Sequence, residues 1–280
     1  MGSGIEARVG SGATGNSAGG RTVLTELNGK GGCVCEPARK GELRCPLIVR
    51  PTSEDVVTGE LFGILRVLNA RWWLPDLLNQ ALGSERFHRQ VFRDLRIELW
   101  EKQRTYPRQH LEWAEGQTEV DVVITWENPA TTVFIEMKYG SPLSATTANN
   151  NGSAGFPSDQ LIRNARIGLR ENGWFQEDVL FHTTQRDFVL ILLTPTSGNP
   201  LVQEYRNPET LRAAIPQSER LTELPLAPFI GELSYRDVTS ILGRQRKWFS
   251  KPEQKLIDSL SEYVNFKLSQ LKSSNGHGHG

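Results

Sequence analysis

Two short apolar runs, each carrying a carboxylate, constrain this chain more than any other feature. The first is Glu119-Val120-Asp121-Val122-Val123-Ile124-Thr125-Trp126, and the second is Thr132-Val133-Phe134-Ile135-Glu136-Met137-Lys138. Both are rich in β-branched and aromatic residues, and Glu127-Asn128-Pro129-Ala130 between them reads as a turn, which predicts two neighbouring strands. A carboxylate inside such a run is costly to bury unless it is paired or bound to a metal. Residues two apart on a strand share a face. Glu136 and Lys138 therefore lie with Phe134 and Thr132, while Val133, Ile135 and Met137 point the other way. Antiparallel pairing brings Asp121 to the edge where Glu136 lies.

The flanking chain supplies elements for these strands to pack on. Ser53 is a suitable N-cap, Glu54 and Asp55 suit the first turn of a helix, and Val57, Leu61, Ile64, Leu65 and Leu68 form one apolar face. A second helical segment follows Pro75, and a third short helix is predicted between Ser84 and Asp94. Leu95 to Gln103 reads as a strand. Gly140 to Gly155 reads as a polar loop. Ser158 or Asp159 caps a helix that ends near Asn172-Gly173. Phe188 to Thr194 is a continuous apolar run, as in a buried central strand. Tyr235 to Leu242 and Pro252 to Leu271 read as helices. The order is helix, three strands, helix, strand, then helical additions, which is an α/β domain with a mixed sheet. Residues 1–50, rich in Gly and Ser, are expected to be loosely ordered, 51–272 to form the domain, and 273–280 to be a flexible tail.

Lys plus Arg and Asp plus Glu stand at 32 each. Any basic surface is therefore local, and global charge lends no support to a nucleic-acid partner. Cys33, Cys35 and Cys45 are odd in number and lie outside the expected core, which argues against a disulfide framework and points to a cytoplasmic setting. Cys33 and Cys35 have too few partners for zinc, and His88, His110 and His182 lack ligand spacing. No apolar stretch approaches the roughly 18 residues needed to span a membrane, and no ATP-binding phosphate loop is present.

Asp121 and Glu136, with the Met137 carbonyl, would offer hard oxygen ligands suited to Mg²⁺. Lys138 would orient a water or stabilise developing negative charge. The competing reading of Glu-x-Lys is a salt-bridge device on an exposed strand edge. Arg86, Arg89 and Arg93 form one candidate phosphate-binding stripe, Arg163, Arg166 and Arg170 another. Arg244, Arg246 and Lys247 form a third, beside Trp248. Each also fits a solvated helix face.

Asp121, Glu136-Met137-Lys138 and their strand context resemble the PD-(D/E)xK phosphodiesterase superfamily. Two more positions match. Glu60, in Thr58-Gly59-Glu60-Leu61-Phe62, is similar to a first-helix glutamate that helps hold the metal. Gln160, in Ser158-Asp159-Gln160-Leu161-Ile162-Arg163, is similar to a glutamine of the lambda-exonuclease-like branch, as is Tyr139 after the lysine. Val120 stands where many members have proline. The resemblance covers about residues 54–195. It implies a restriction-endonuclease-like core and a Mg²⁺-dependent (or Mn²⁺-dependent) nuclease acting on DNA, in genome defence or repair. Asp121, Glu136, Lys138 and Gln160 would be catalytic, and Glu60, Asp121, Glu136 and Met137 would hold metal. A regulatory protein or homo-oligomerisation would supply control. The alternatives are an inactive nuclease-fold binding or scaffold module, and a ribonuclease using the same site.

Overall fold

The structure, a computed structural model, describes residues 53–104, 118–143, 157–176 and 184–275. It also describes two short strands, Glu36–Pro37 and Leu43–Arg44, paired antiparallel. The remaining expectations for residues 1–50, and those for the 276–280 end and most of the 140–155 loop, fall outside the described residues.

Five strands form one mixed sheet: β1 (Arg93–Lys102), β2 (Glu119–Glu127), β3 (Thr131–Met137), β4 (Asp187–Thr194) and β5 (Ile230–Ser234), ordered as in the sequence. β1, β2 and β3 are antiparallel, whereas β4 runs parallel to β3 and β5 parallel to β4. Every residue of β3 is buried, as befits the middle strand of a sheet covered on both faces.

Helices cover both faces. On one side lie α1 (Glu54–Val67), α2 (Leu74–Leu82), α6 (Tyr235–Gln245) and α7 (Lys251–Asn275). They enclose Val133, Ile135 and Met137 with Leu61, Phe62, Leu78 and Val264. On the other side lie α3 (Gln160–Glu171), α4 (Pro200–Tyr205) and α5 (Pro208–Ala214), packed on Phe134, Leu190 and Leu192. The predicted alternation along β3 is thus the division between two cores. α2 lies so close to β5 that a Cβ at Gly231 would come within 2.3 Å of the Ala81 carbonyl oxygen.

The caps read from the sequence are present. Ser53 accepts a hydrogen bond from the Val56 N–H, and Asp159 caps α3 by accepting from Ile162 N–H. The short helix expected between Ser84 and Asp94 does not form. The Asn79 side chain accepts from Phe87 N–H and donates to the Phe87 carbonyl, which ties that segment down as a loop. α4, α5 and β5 were not anticipated. Among the described residues no helix is long and apolar enough to cross a membrane.

Candidate active site

Where β2 meets β3, the sheet forks. The ladder runs from Trp126↔Thr131 to Val122↔Ile135 and ends there, although one more step would pair Asp121 with Glu136. β3 continues along β4, since Lys138 N–H donates to the Leu193 carbonyl at 2.9 Å. The Asp121 side chain fills the gap: its Oδ2 accepts from Met137 N–H at 2.8 Å. On the other flank, β1 and β2 pair at Leu99↔Val122 and Glu101↔Val120. Trp100, which faces Asp121 between them, has φ 53°. That left-handed value is costly for a bulky residue. Asp121 therefore stands at an interruption on both sides of its strand.

Glu136 is almost wholly buried, with 1% exposure. Three donors converge on it. Lys138 Nζ reaches Oε1 at 2.7 Å, Gln160 Nε2 donates to the same oxygen, and Asn164 Nδ2 donates to Oε2 at 2.7 Å. Gln160 and Asn164 are four apart on α3, one turn on the same face. Asn164 is fully buried, and its amide oxygen has no partner among the described residues. Its orientation follows from Glu136, which requires the amide nitrogen.

Lys138 also donates to the Met137 carbonyl at 2.9 Å and to Glu54 Oε1 at 3.2 Å. The other oxygen of Glu54 accepts from Tyr139 N–H at 2.9 Å and Ser141 Oγ at 3.2 Å. Tyr235 O–H fixes the Lys138 carbonyl at 2.8 Å. The N-terminus of α1, the end of β3 and the start of α6 thus hold the lysine jointly.

Burial raises the Asp121 carboxyl well above the usual range, and the Glu136 charge adds to the rise. Burial also raises Glu136, opposed by the charge and hydrogen bond of Lys138 and by Asn164. Burial alone would depress Lys138, but Glu136, Glu54 and Asp121 outweigh it and hold the ammonium above its ordinary value. Lys138 at neutral pH is therefore a donor and not a base.

Asp121, Glu136, Lys138 and Gln160 come together as expected, and Glu60 does not join them. Glu60 is exposed and its charge falls on Tyr263. Six residues along α1 from Glu54, it lies about 9 Å farther down the axis and about a third of a turn around it. The first-helix carboxylate in the cluster is Glu54, whose only visible sign in the sequence was its place beside the N-cap. Asn164, one turn beyond Gln160, was also missed. The Met137 carbonyl lies at the site but is engaged by Lys138.

The arginine stripes mostly dissolve. Arg166 is 1% exposed and bonds Gln217, and Arg170, equally buried, bonds the Arg104 carbonyl. Neither offers a surface to a phosphate. Arg86 pairs with Asp187, Arg246 pairs with Asp258, and Arg244 bonds Ser240 and Gln80. Arg93 is exposed on β1, not on a helix with Arg86 and Arg89. Arg163 is half-buried on α3, three residues from Gln160.

Among the described residues no three His, Cys, Asp or Glu side chains close on one point as a metal group. Lys138 stands between Glu54 and Glu136, which keeps Glu54 from joining such a group. A Mg²⁺ ion needs only one or two protein carboxylates, with water and phosphate oxygens completing the octahedron. Asp121 and Glu136 fit that lesser requirement. They are neighbouring hard-oxygen donors, the Glu136 charge raising the Asp121 carboxyl, and three carboxylates here face the one ammonium of Lys138. Comparison with protein-family models, curated proteins and solved structures finds no match.

Proposed function

We propose that this chain is a metal-dependent nuclease of the PD-(D/E)xK kind, hydrolysing phosphodiester bonds, with DNA the favoured substrate. The observation that carries the reading is the Glu136–Lys138 ion pair at 2.7 Å beside Asp121 at the sheet fork. The order α1, β1, β2, β3, α3, β4, with α2 inserted between α1 and β1, supports a restriction-endonuclease-like core.

Asp121 and Glu136 would hold Mg²⁺, which supplies neutralisation of phosphate charge and acidification of a bound water. Lys138, fixed as an ammonium by Glu136 and Glu54, orients the attacking water and stabilises negative charge on the phosphate as it develops. Gln160 and Asn164 hold Glu136 in one rotamer, the role of outer partners around a metal ligand. Glu54 positions Lys138 and the Tyr139 backbone. A cavity of about 590 Å³ opens beside Tyr139, bordered by Thr196, Ser197, Arg236 and Leu268. It lies at the carboxyl ends of β4 and β5, where ligands of parallel sheets bind, and gives a nucleotide flanking the scissile bond a place to sit.

The test incubates the full chain with plasmid, linear duplex, single-stranded DNA and RNA, in Mg²⁺, Mn²⁺ or chelator. Cleavage of DNA is expected with metal only. Lys138→Ala should lower the rate by about 10²–10³, the scale for losing one electrostatic stabiliser, and Glu136→Gln should abolish it. Cleavage that survives both chelator and Glu136→Gln would sink the reading.

A further inference from the structure

Far from the forked sheet, two segments remote in sequence meet at the surface. Trp72 ends the 3₁₀ turn Ala70–Trp72 between α1 and α2, and Trp248 ends the turn Arg246–Trp248 between α6 and α7. Their rings stack with centroids 5.1 Å apart and planes 12° from parallel. Trp248 is 49% exposed, so part of its ring can be reached from solvent by another ring.

Cations surround the pair. The Arg71 and Arg89 guanidinium carbons lie 5.1 and 5.4 Å from the Trp72 ring, and Lys247 Nζ lies 5.1 Å from the Trp248 ring. None of the three forms an ion pair among the described residues, unlike Arg246 and Arg86 nearby in sequence. Arg89 is held by Gln245, which is held in turn by Asp76. The turn bearing Arg71 is pinned by Asn69, which caps Arg71 N–H and donates its own N–H to Glu253. The acids at this edge, Glu253 and Asp76, are themselves engaged: Glu253 accepts from Asn69 and Ser250 N–H, and Asp76 accepts from Gln245. The platform is therefore held rigid before anything binds.

We propose that the Trp72–Trp248 stack is a binding platform for single-stranded nucleic acid. An unpaired base continues the stack on the outer face of Trp248, and flanking phosphates meet Lys247 and Arg71. Aromatic stacking accepts any base because each has a π-face, and basic residues beside the ring hold the backbone. A closed duplex hides those faces inside its own stack, so an open strand, an overhang or a frayed end is the form that fits. Unpaired cations favour this polyanion over an apolar peptide. The platform caps the C-terminal end of α1, whose N-terminus carries Glu54. Fourteen residues of helix place it about 20 Å from the cluster around Lys138. It is a second contact, independent of the chemistry proposed there.

The test measures binding in chelator, so that cleavage plays no part. Labelled oligothymidylate and oligouridylate of about twelve nucleotides, within the range one such surface covers, and a blunt duplex of equal length are titrated against the full chain. Anisotropy and tryptophan quenching are followed together. The single strands should quench and bind better than the duplex, and the stronger of the two strands identifies the preferred sugar. Trp248→Ala should weaken strand binding about tenfold, the scale of one lost base stack, and Trp248→Phe should restore most of it. Lys247→Gln and Arg71→Gln should each reduce the salt dependence by about 0.7 in slope. Glu60→Gln, at an exposed position outside the cluster around Lys138, should bind like the wild type. If no substrate is ever cleaved yet these results hold, the nuclease reading fails and the platform stands. Binding unchanged in a Trp248→Ala protein with an unaltered melting point would overturn the proposal. So would equal binding of duplex and strand, or displacement of the strand by polyglutamate with the same quenching, which would assign the surface to an acidic polypeptide.

Discussion

Asp121→Asn should make the metal-free protein more stable and the metal-loaded protein less so. In the wild type Asp121 Oδ2 accepts Met137 N–H, a bond that the asparagine carbonyl retains. The substitution also removes a negative charge beside buried Glu136. The strands have parted by this step, and like charges about 7 Å apart repel by about 2 kcal/mol at an effective dielectric near 20. Lys138 offsets part of this, so the net gain is about 1–2 kcal/mol. At about 2–4 °C per kcal/mol for a chain of this size, the variant should melt about 2–8 °C higher in chelator. Mg²⁺ at a hundredfold over its dissociation constant should stabilise the wild type by about 2.7 kcal/mol, and most of that increment should vanish in the variant. The pH dependence has a definite sign. The Asp121 carboxyl titrates above its unfolded value of 3.8, so its contribution is fully present below that value and is lost as pH rises through the folded one. The advantage of asparagine is therefore largest at pH 8 and shrinks on acidification, as Asp121 takes up a proton. Differential scanning calorimetry across pH, with chelator and with Mg²⁺, measures all of this. A variant that melts below the wild type in chelator, or that gains as much from Mg²⁺, would refute the reasoning.

Three further substitutions probe the surroundings. Glu54→Gln keeps an acceptor for Tyr139 N–H but weakens the hold on Lys138. It should lower turnover about 10–100-fold, as outer-partner changes do, whereas Glu60→Gln should leave turnover and melting unchanged; equal effects from the two would return the role to Glu60. Gly231→Ala forces a Cβ to within 2.3 Å of the Ala81 backbone oxygen. With no flexible side chain to give way, it should cost about 3 kcal/mol and lower the melting point by about 6–12 °C; a shift below 2 °C would mean that α2 can move off β5.

The strands that hold the cluster were legible because their signals are local. A run such as Phe188 to Thr194 needs no partner to be read as buried, and the parity of β3 follows from counting by two. Ser53 and Asp159 announce their helices in the same way. Glu54 and Glu60 could not be separated so simply. Both are acids early in one helix, and choosing between them requires the direction of α1 against the sheet. The arginines failed for a related reason. A spacing that puts Arg163, Arg166 and Arg170 along one helix does not say whether that helix faces water, and α3 is covered by α4, α5 and the chain near Gln217. Between Ser84 and Asp94 the spacing of Arg86, Arg89 and Arg93 suits a helix, yet one asparagine, Asn79, outbids it with two bonds to Phe87. Glu136 is satisfied by residues from β3 and α3 together, and no window of sequence contains both.

The fork between β2 and β3 gives the molecule a mechanical asymmetry. Up to Val122↔Ile135 the strands are locked by backbone ladders, and any displacement there would break hydrogen bonds in the core. Beyond that pair only side chains bridge the gap, with Asp121 resting on a single amide of the neighbouring strand. Asp121 thus sits on a compliant jaw, whereas Glu136, paired along β4 and held by Lys138, Gln160 and Asn164, belongs to the stiff frame. The separation of the two acids can adjust by small rotations of the Asp121 side chain as charge between them changes, while the sheet behind them stays in place.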